Sequence, residues 1–219
     1  EKSVYKYMRG RAIKAILFDM DGTLFDSEVK SIDMMKKLVL DTKGVKSNTD
    51  FNELAGLDYK SKLTKILGYH DEELFEKVML EGNKNYTLMA EPISGVNNCL
   101  HQLKENGLKL AICTNGYPDM LKPAFEKLEV SLDLYQGSIG MRKKPEPDVY
   151  LAALSKLKIK PQDTLVVEDS LIGISAALAA GIPEDNILIF DSADLHKNFD
   201  RRFTSWVDFS RDERIKTRH

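Results

Sequence analysis

Four short apolar runs that do not alternate constrain this chain more than any other feature of it: "AIKAILFD" (12–19), "LKLAICTN" (108–115), "TLVVED" (164–169) and "NILIF" (186–190). A strand with one wet face alternates apolar and polar residues. These runs are apolar on both faces, which suits a parallel sheet covered by helices on either side. "LYQGSIG" (134–140) is a weaker fifth run. Helix-period segments fill the intervals at 94–107, 118–130, 147–158 and 170–181, with Gly107 and Gly181 where C-terminal caps are expected. Strand alternating with helix predicts an α/β fold built on a doubly wound, mostly parallel sheet.

The alternation fails once. A crossover between parallel strands needs only about a dozen residues, yet 20–107 separate the first two runs. That interval has helical period and no convincing strand. In "SEVKSIDMMKKLVLDTKG", Val29, Ile32, Met35, Leu38 and Val39 share one face. Further helices are expected at 49–55, 58–67 and 71–88. The reading is a small α-helical domain, 27–90, inserted into an α/β core made of 1–26 and 91–219. Its hinges are expected at "FDS" and "AEPISG".

Composition narrows the function classes. Hydrophobic residues make up 42% of 219, enough for a sizeable core. With 32 basic and 34 acidic residues the net charge is −2, which argues against a nucleic-acid surface. Arg9, Arg11 and Lys14 near one end, and Arg211, Arg214, Lys216 and Arg218 near the other, read as solvated tails. Cys99 and Cys113 lie in apolar stretches and are too few for a disulfide framework, so they read as core thiols in a reducing compartment. No apolar run reaches the ~18–20 residues of a membrane span, and "EKSVYKYMRGR" has no secretory h-region. A cytoplasmic chain with no membrane or nucleic-acid partner is expected, most simply a monomer.

Ligands of open α/β sheets bind beyond the carboxyl ends of the strands. There the runs deliver Asp19 and Asp21, then Thr114 and Asn115, then Glu168 and Asp169. Asp191, after the last run, reads as a loop start. Such acids repel one another unless a cation sits among them, and hard oxygen donors suit Mg²⁺. Residues i and i+2 of extended chain point to the same side, so Asp19 and Asp21 reach one reacting group. One can attack while the other moves a proton. His70, His101, His196 and His219 match no metal-ligand spacing and read as surface or core residues.

These residues carry a resemblance. "FDMDGTLFDSE" resembles the first motif of the haloacid dehalogenase superfamily in its DxDGT form. "AICTNG" is similar to the second, "KKPEPDVY" to the third and "LVVEDSLIGISAALAAG" to the fourth. All four stand in the family's order. The resemblance implies a Rossmann-like core and Mg²⁺-dependent phosphohydrolase chemistry. Asp19 would attack phosphorus and form an aspartyl-phosphate, and Asp21 would be general acid and then base, its backbone carbonyl also on the metal. Thr114, Asn115 and Lys144 would bind phosphate, with Lys144 stabilising transferred charge. Asp169 would ligate Mg²⁺ together with Asp19, assisted by Glu168.

The inserted segment resembles the α-helical cap of the superfamily's first cap class, shared by phosphatases and β-phosphoglucomutases. The mutases carry a histidine early in the cap, where "DSEVKSIDMMKKLVL" has none, and a cap arginine where Tyr59 stands. Hydrolysis of a small-molecule phosphomonoester is therefore expected. A phosphosugar mutase is the alternative, and a non-catalytic binding protein a minor one. Tyr59, Lys60 and Lys62 in "NELAGLDYKSKL" are the expected cap contacts to substrate.

Overall fold

Buried on both faces, the apolar runs pair into one sheet, and every pairing in it is parallel. The computed structural model describes residues 13–54, 57–116, 118–192 and 196–211. Its strands are β1 (Ala15–Phe18), β2 (Lys109–Cys113), β3 (Leu134–Gln136), β4 (Thr164–Glu168), β5 (Ile187–Phe190) and β6 (Arg202–Phe203). They lie in the order β3-β2-β1-β4-β5-β6. The chain winds outward one way from β1 and the other way from β4, so a crevice opens between the carboxyl ends of those two strands.

Helices cover both faces. On one side pack α5 (Val96–Glu105), α6 (Pro118–Phe125) and α9 (Trp206–Arg211), against Ile16 and Phe18. On the other pack α7 (Asp148–Leu157) and α8 (Leu171–Ala179), against Ala15 and Leu17. Successive β1 residues thus feed opposite cores, as the pleat requires. The Ser170 side chain caps α8 by accepting from the Gly173 N–H at 3.2 Å. Cys99 and Cys113 are buried free thiols, as expected, and burial pushes Cys113 up to about 12.

The interval between β1 and α5 holds α1 (Glu28–Lys43), α2 (Phe51–Leu54), α3 (Tyr59–Leu67) and α4 (Glu72–Met89). Ile32, Met35, Val39, Leu63, Ile66 and Val78 bury in a cluster of their own, separate from the two sheet cores. The chain leaves and re-enters the α/β part side by side. Asp26 N donates to Glu91 O and Ile93 N to Leu24 O, each at 2.8 Å.

Three expectations need adjustment. The helix foreseen over 118–130 ends at Phe125, and the chain tightens into turns with Lys127 N bonded to Ala124 O and Leu128 N to Phe125 O. The weak run 134–140 contributes only the three residues of β3. Of the basic residues read as a C-terminal tail, Arg211 closes α9, and the segment before it, which carried no reading, supplies β6 and α9, with Trp206 fully buried among Phe18, Phe190 and Phe203. Arg9, Arg11, Arg214, Lys216, Arg218 and His219 lie outside the described residues, while Lys14 pairs with Asp163 at 2.7 Å. No helix among the described residues is long and apolar enough to cross a membrane.

Candidate active site

The carboxyl end of β1 delivers Asp19, whose N–H donates to Val167 O of β4 at 2.9 Å. That bond locks the loop to the neighbouring strand and brings Asp19, Glu168 and Asp169 together. One oxygen of each lies within 4.8 Å of the others. Asp19 and Glu168 share the ammonium of Lys144, which is 2.6 Å from both Asp19 Oδ1 and Glu168 Oε1 and also donates to Cys113 O at 2.9 Å. The Tyr150 hydroxyl donates to the same Glu168 oxygen. Glu168 is completely buried, so it holds Lys144 in place as well as facing the cluster. The sequence marked Glu168 only as an aid to the metal, and Tyr150 not at all, because α7 reads simply as an apolar helix.

Two glycines make room for the acids. A Cβ on Gly22, where φ is +79°, would fall 2.1 Å from Asp169 Oδ2. One on Gly173 would fall 1.9 Å from the Glu168 carboxyl carbon. Gly22 therefore serves both the left-handed turn after β1 and the approach of Asp169.

Charge sets the protonation of the site. Burial, reinforced by the Glu168 charge, pushes the Asp19 carboxyl up to about 7 against the pull of Lys144. Burial and the charges of Asp19 and Glu168 hold Asp169 well above the usual carboxylate range. Burial opposes the charge on Lys144, but Asp19 and Glu168 outweigh it and keep the ammonium above the ordinary lysine range. Lys144 supplies a single positive charge to three carboxylates, a deficit that fits an oxygen-ligated divalent cation.

The remaining expected residues surround this centre. Asp21 stands at the same loop but outside the three-acid cluster, and its carboxylate accepts from the Ser27 hydroxyl. Thr114 follows β2, its hydroxyl accepting from the Gly116 N–H at 3.0 Å. The Asn115 side-chain oxygen accepts from the Lys144 N–H at 2.8 Å, so Asn115 orients the loop carrying the lysine. Asp191 opens the loop after β5, as expected, and the partly buried His196 reaches the edge of the site. His196 Nε2 lies 3.0 Å from Asp169 O and, facing a carbonyl, carries the proton. Asp191 is buried and accepts from His196 N at 2.9 Å and from Arg202 at 3.1 Å. No metal-ligand spacing could have shown this, because the histidine meets a backbone carbonyl.

Above the acids, the helical insertion closes a cleft of about 450 Å³. Tyr59 and Lys62 line it with Glu28, Ser31 and Phe75, facing Asp19 and Asp21. Lys60 is at its rim, half exposed, 3.5 Å from Glu72 and 5.7 Å from the Phe75 ring centre. Burial and the charges of Asp21 and Glu28 raise the Tyr59 phenol above its ordinary range, so it is a neutral hydroxyl.

This arrangement can be set beside known proteins. Over 160 residues the chain is 29% identical to a haloacid dehalogenase-like hydrolase domain-containing protein of Arabidopsis thaliana, a match covering 70% of this chain but 48%, about half, of that longer protein. It is 30% identical over 176 residues to validoxylamine A 7'-phosphate phosphatase of Streptomyces hygroscopicus subsp. limoneus, covering 77% of this chain and 83% of the relative. The fold also matches the solved structure of CbbY from Rhodobacter sphaeroides in complex with phosphate, with a TM-score of 0.71 over 90% of this chain and 96% of that one at 21% identity. The family model for haloacid dehalogenase-like hydrolases matches residues 16–184, from β1 through the fourth motif, and the chain belongs to that family.

Proposed function

We propose that this protein is a Mg²⁺-dependent phosphatase that hydrolyses a small-molecule phosphomonoester through an aspartyl-phosphate on Asp19. The observation that carries the reading is the joint grip of Lys144 on Asp19 and Glu168, with Asp169 alongside, at the floor of a cleft roofed by helices. The same reading takes 27–90 as a cap domain on a core of 1–26 and 91–219. It also takes the chain as a cytoplasmic monomer, a location that the free buried thiols support.

Asp19, Asp169 and the backbone of Asp21 would hold Mg²⁺, assisted by Glu168. When bound, the ion offsets the repulsion between an anionic nucleophile and an anionic phosphate. Asp19 attacks phosphorus, and the bond from phosphorus to the leaving oxygen breaks as Asp21 gives that oxygen its proton. Asp21 then takes a proton from the water that attacks the aspartyl-phosphate, which frees phosphate and restores Asp19. Thr114, the N–H groups after it and Lys144 bind the phosphoryl oxygens. Lys144 contributes fixed positive charge where negative charge moves.

The test is hydrolysis of p-nitrophenyl phosphate with and without Mg²⁺, comparing the unaltered chain with Asp19→Asn. Metal-dependent release that the substitution abolishes supports the mechanism. Equal rates in the two proteins refute it. A parallel assay with β-glucose 1-phosphate separates the mutase, which would yield glucose 6-phosphate, from a phosphatase, which releases inorganic phosphate.

A further inference from the structure

Asn115 is held at both of its carbonyl oxygens by the loop between β3 and α7. Its side-chain oxygen accepts from the Lys144 N–H, and its main-chain oxygen accepts from the Ser138 hydroxyl, each at 2.8 Å. Ser138 is only 4% exposed, and the chemistry of Asp19 and Asp21 makes no use of it. The loop that carries it packs backbone to backbone against the loop after β2. A Cβ on Gly137 would fall 2.5 Å from Gly116 O and 2.3 Å from Pro118 Cδ. Thr114 N donates to Gln136 O at 2.9 Å on the same border.

Resting on the phosphatase reading above, we infer that Ser138 is a positioning residue for phosphate binding, which aims the Thr114 hydroxyl at the phosphoryl group through the Asn115–Gly116 peptide. A trans peptide unit is planar, so its C=O and N–H point in opposite directions. Ser138 fixes the C=O of this unit and thereby its N–H, which donates to Thr114 Oγ1 at 3.0 Å. A hydroxyl oxygen that accepts this bond turns its own hydrogen away from Gly116. Thr114 lines the cleft with Asp19 and Lys144, and the hydrogen is left for an anion bound there. Each bond of the series also polarises the next, which makes the Thr114 hydroxyl a stronger donor. Without the Ser138 hydroxyl the peptide is free to turn, and the Gly116 N–H loses its line to Thr114.

The experiment is calorimetric titration with inorganic phosphate, in the presence of Mg²⁺, of the full chain, Ser138→Ala, Thr114→Val and the double variant. Ser138→Ala is expected to weaken phosphate binding by about fivefold, the value of one hydrogen bond. In the Thr114→Val background the same substitution should change affinity by less than about twofold, because the hydroxyl that Ser138 aims is gone. A serine that only supports the loop gives the same loss in both backgrounds. Ser138→Cys fills the same space with a weak donor, so it should follow Ser138→Ala and stands in for it if the alanine variant unfolds. Equal losses in the two backgrounds, or an affinity that neither folded Ser138 variant lowers, overturns the positioning role alone. An unaltered chain that neither binds phosphate nor releases it from p-nitrophenyl phosphate overturns the phosphatase reading, and the role of Ser138 with it.

Discussion

The ammonium of Lys144 stands 2.6 Å from Asp19 Oδ1, although 125 positions of chain separate the two residues. The same ammonium meets Glu168 Oε1 at 2.6 Å, so one cation serves the proposed nucleophile and a fully buried acid at once. Lys144→Met takes the shared cation from both carboxylates, leaving Glu168 only hydroxyl donors such as Tyr150. It should lower kcat by about 10²–10³-fold, as loss of a charge-stabilising donor does. Breaking a buried pair also costs about 3–5 kcal/mol, to be read from urea unfolding. A variant with unaltered kcat would remove Lys144 from the reaction.

Asp19 titrates at about 7 in the folded chain against an ordinary value of 3.8, because burial and then Glu168 disfavour its charge. Between those pH values the folded state keeps a proton that the unfolded state has lost. The stability this proton contributes is complete below 3.8 and is lost as pH rises through about 7. Metal-free protein should therefore lose thermal stability across that window, and Asp19→Asn should flatten the slope. Added Mg²⁺ should counter the loss most strongly at and above neutral pH. At a hundredfold excess over Kd the gain is about 2.7 kcal/mol, or ~5–10 °C in Tm for a chain of this size. A Tm indifferent to Mg²⁺ at pH 8 would count against the metal site.

His196 holds the backbone carbonyl of Asp169 from a loop anchored by Asp191. His196→Ala should weaken Mg²⁺ binding by about tenfold, the usual cost of losing an outer partner of a ligand. Calorimetric titration with Mg²⁺ measures it directly. His196→Gln, whose carboxamide still donates to a carbonyl, should recover much of the affinity. Equal affinities in all three proteins would leave the histidine a purely structural role.

Trp206 Nε1 donates to Thr23 O at 2.8 Å, tying α9 to the loop that carries Asp21. Trp206→Phe keeps much of the aromatic packing but leaves that carbonyl without its donor. The expected loss is about 1–3 kcal/mol of stability, seen as a lower urea midpoint with little change in slope.

Gly173 offers a steric test without backbone strain, since it lies inside α8. A methyl group there would overlap the Glu168 carboxyl at 1.9 Å. Gly173→Ala should displace Glu168 and Lys144 together and depress kcat more than KM. Unchanged kinetics would show that Glu168 can move without consequence.

Much of this was legible before any tertiary contact was known. The non-alternating runs became β1, β2, β4 and β5 because a strand covered on both faces must be apolar on both. The helical period of 28–89 became α1–α4 because one face of each helix had to be buried. Asp19, Thr114 and Asp169 converge because strands of a parallel sheet end on the same edge, and Lys144 joins them from the loop between β3 and α7. The short strand Arg202–Phe203, paired with Ile189 and Phe190, and the burial of Trp206 escaped notice because a two-residue strand has no period to detect, and a basic neighbourhood masks one buried indole.

Most local order was thus in the sequence by itself: which of the main segments are strands or helices, and which acids emerge at the sheet edge, though not where every element stops. Those properties depend on neighbours within a turn or a pleat. Only the tertiary structure decided how charges are matched. Tyr150 to Glu168 spans 18 positions, Lys62 to Glu28 spans 34, His196 to Asp169 spans 27 and Trp206 to Thr23 spans 183. Hydrophobic period says that a residue is buried, but not which group it meets there. A buried polar group is stable only beside its particular partner, and that partner is chosen by the packing of the whole chain.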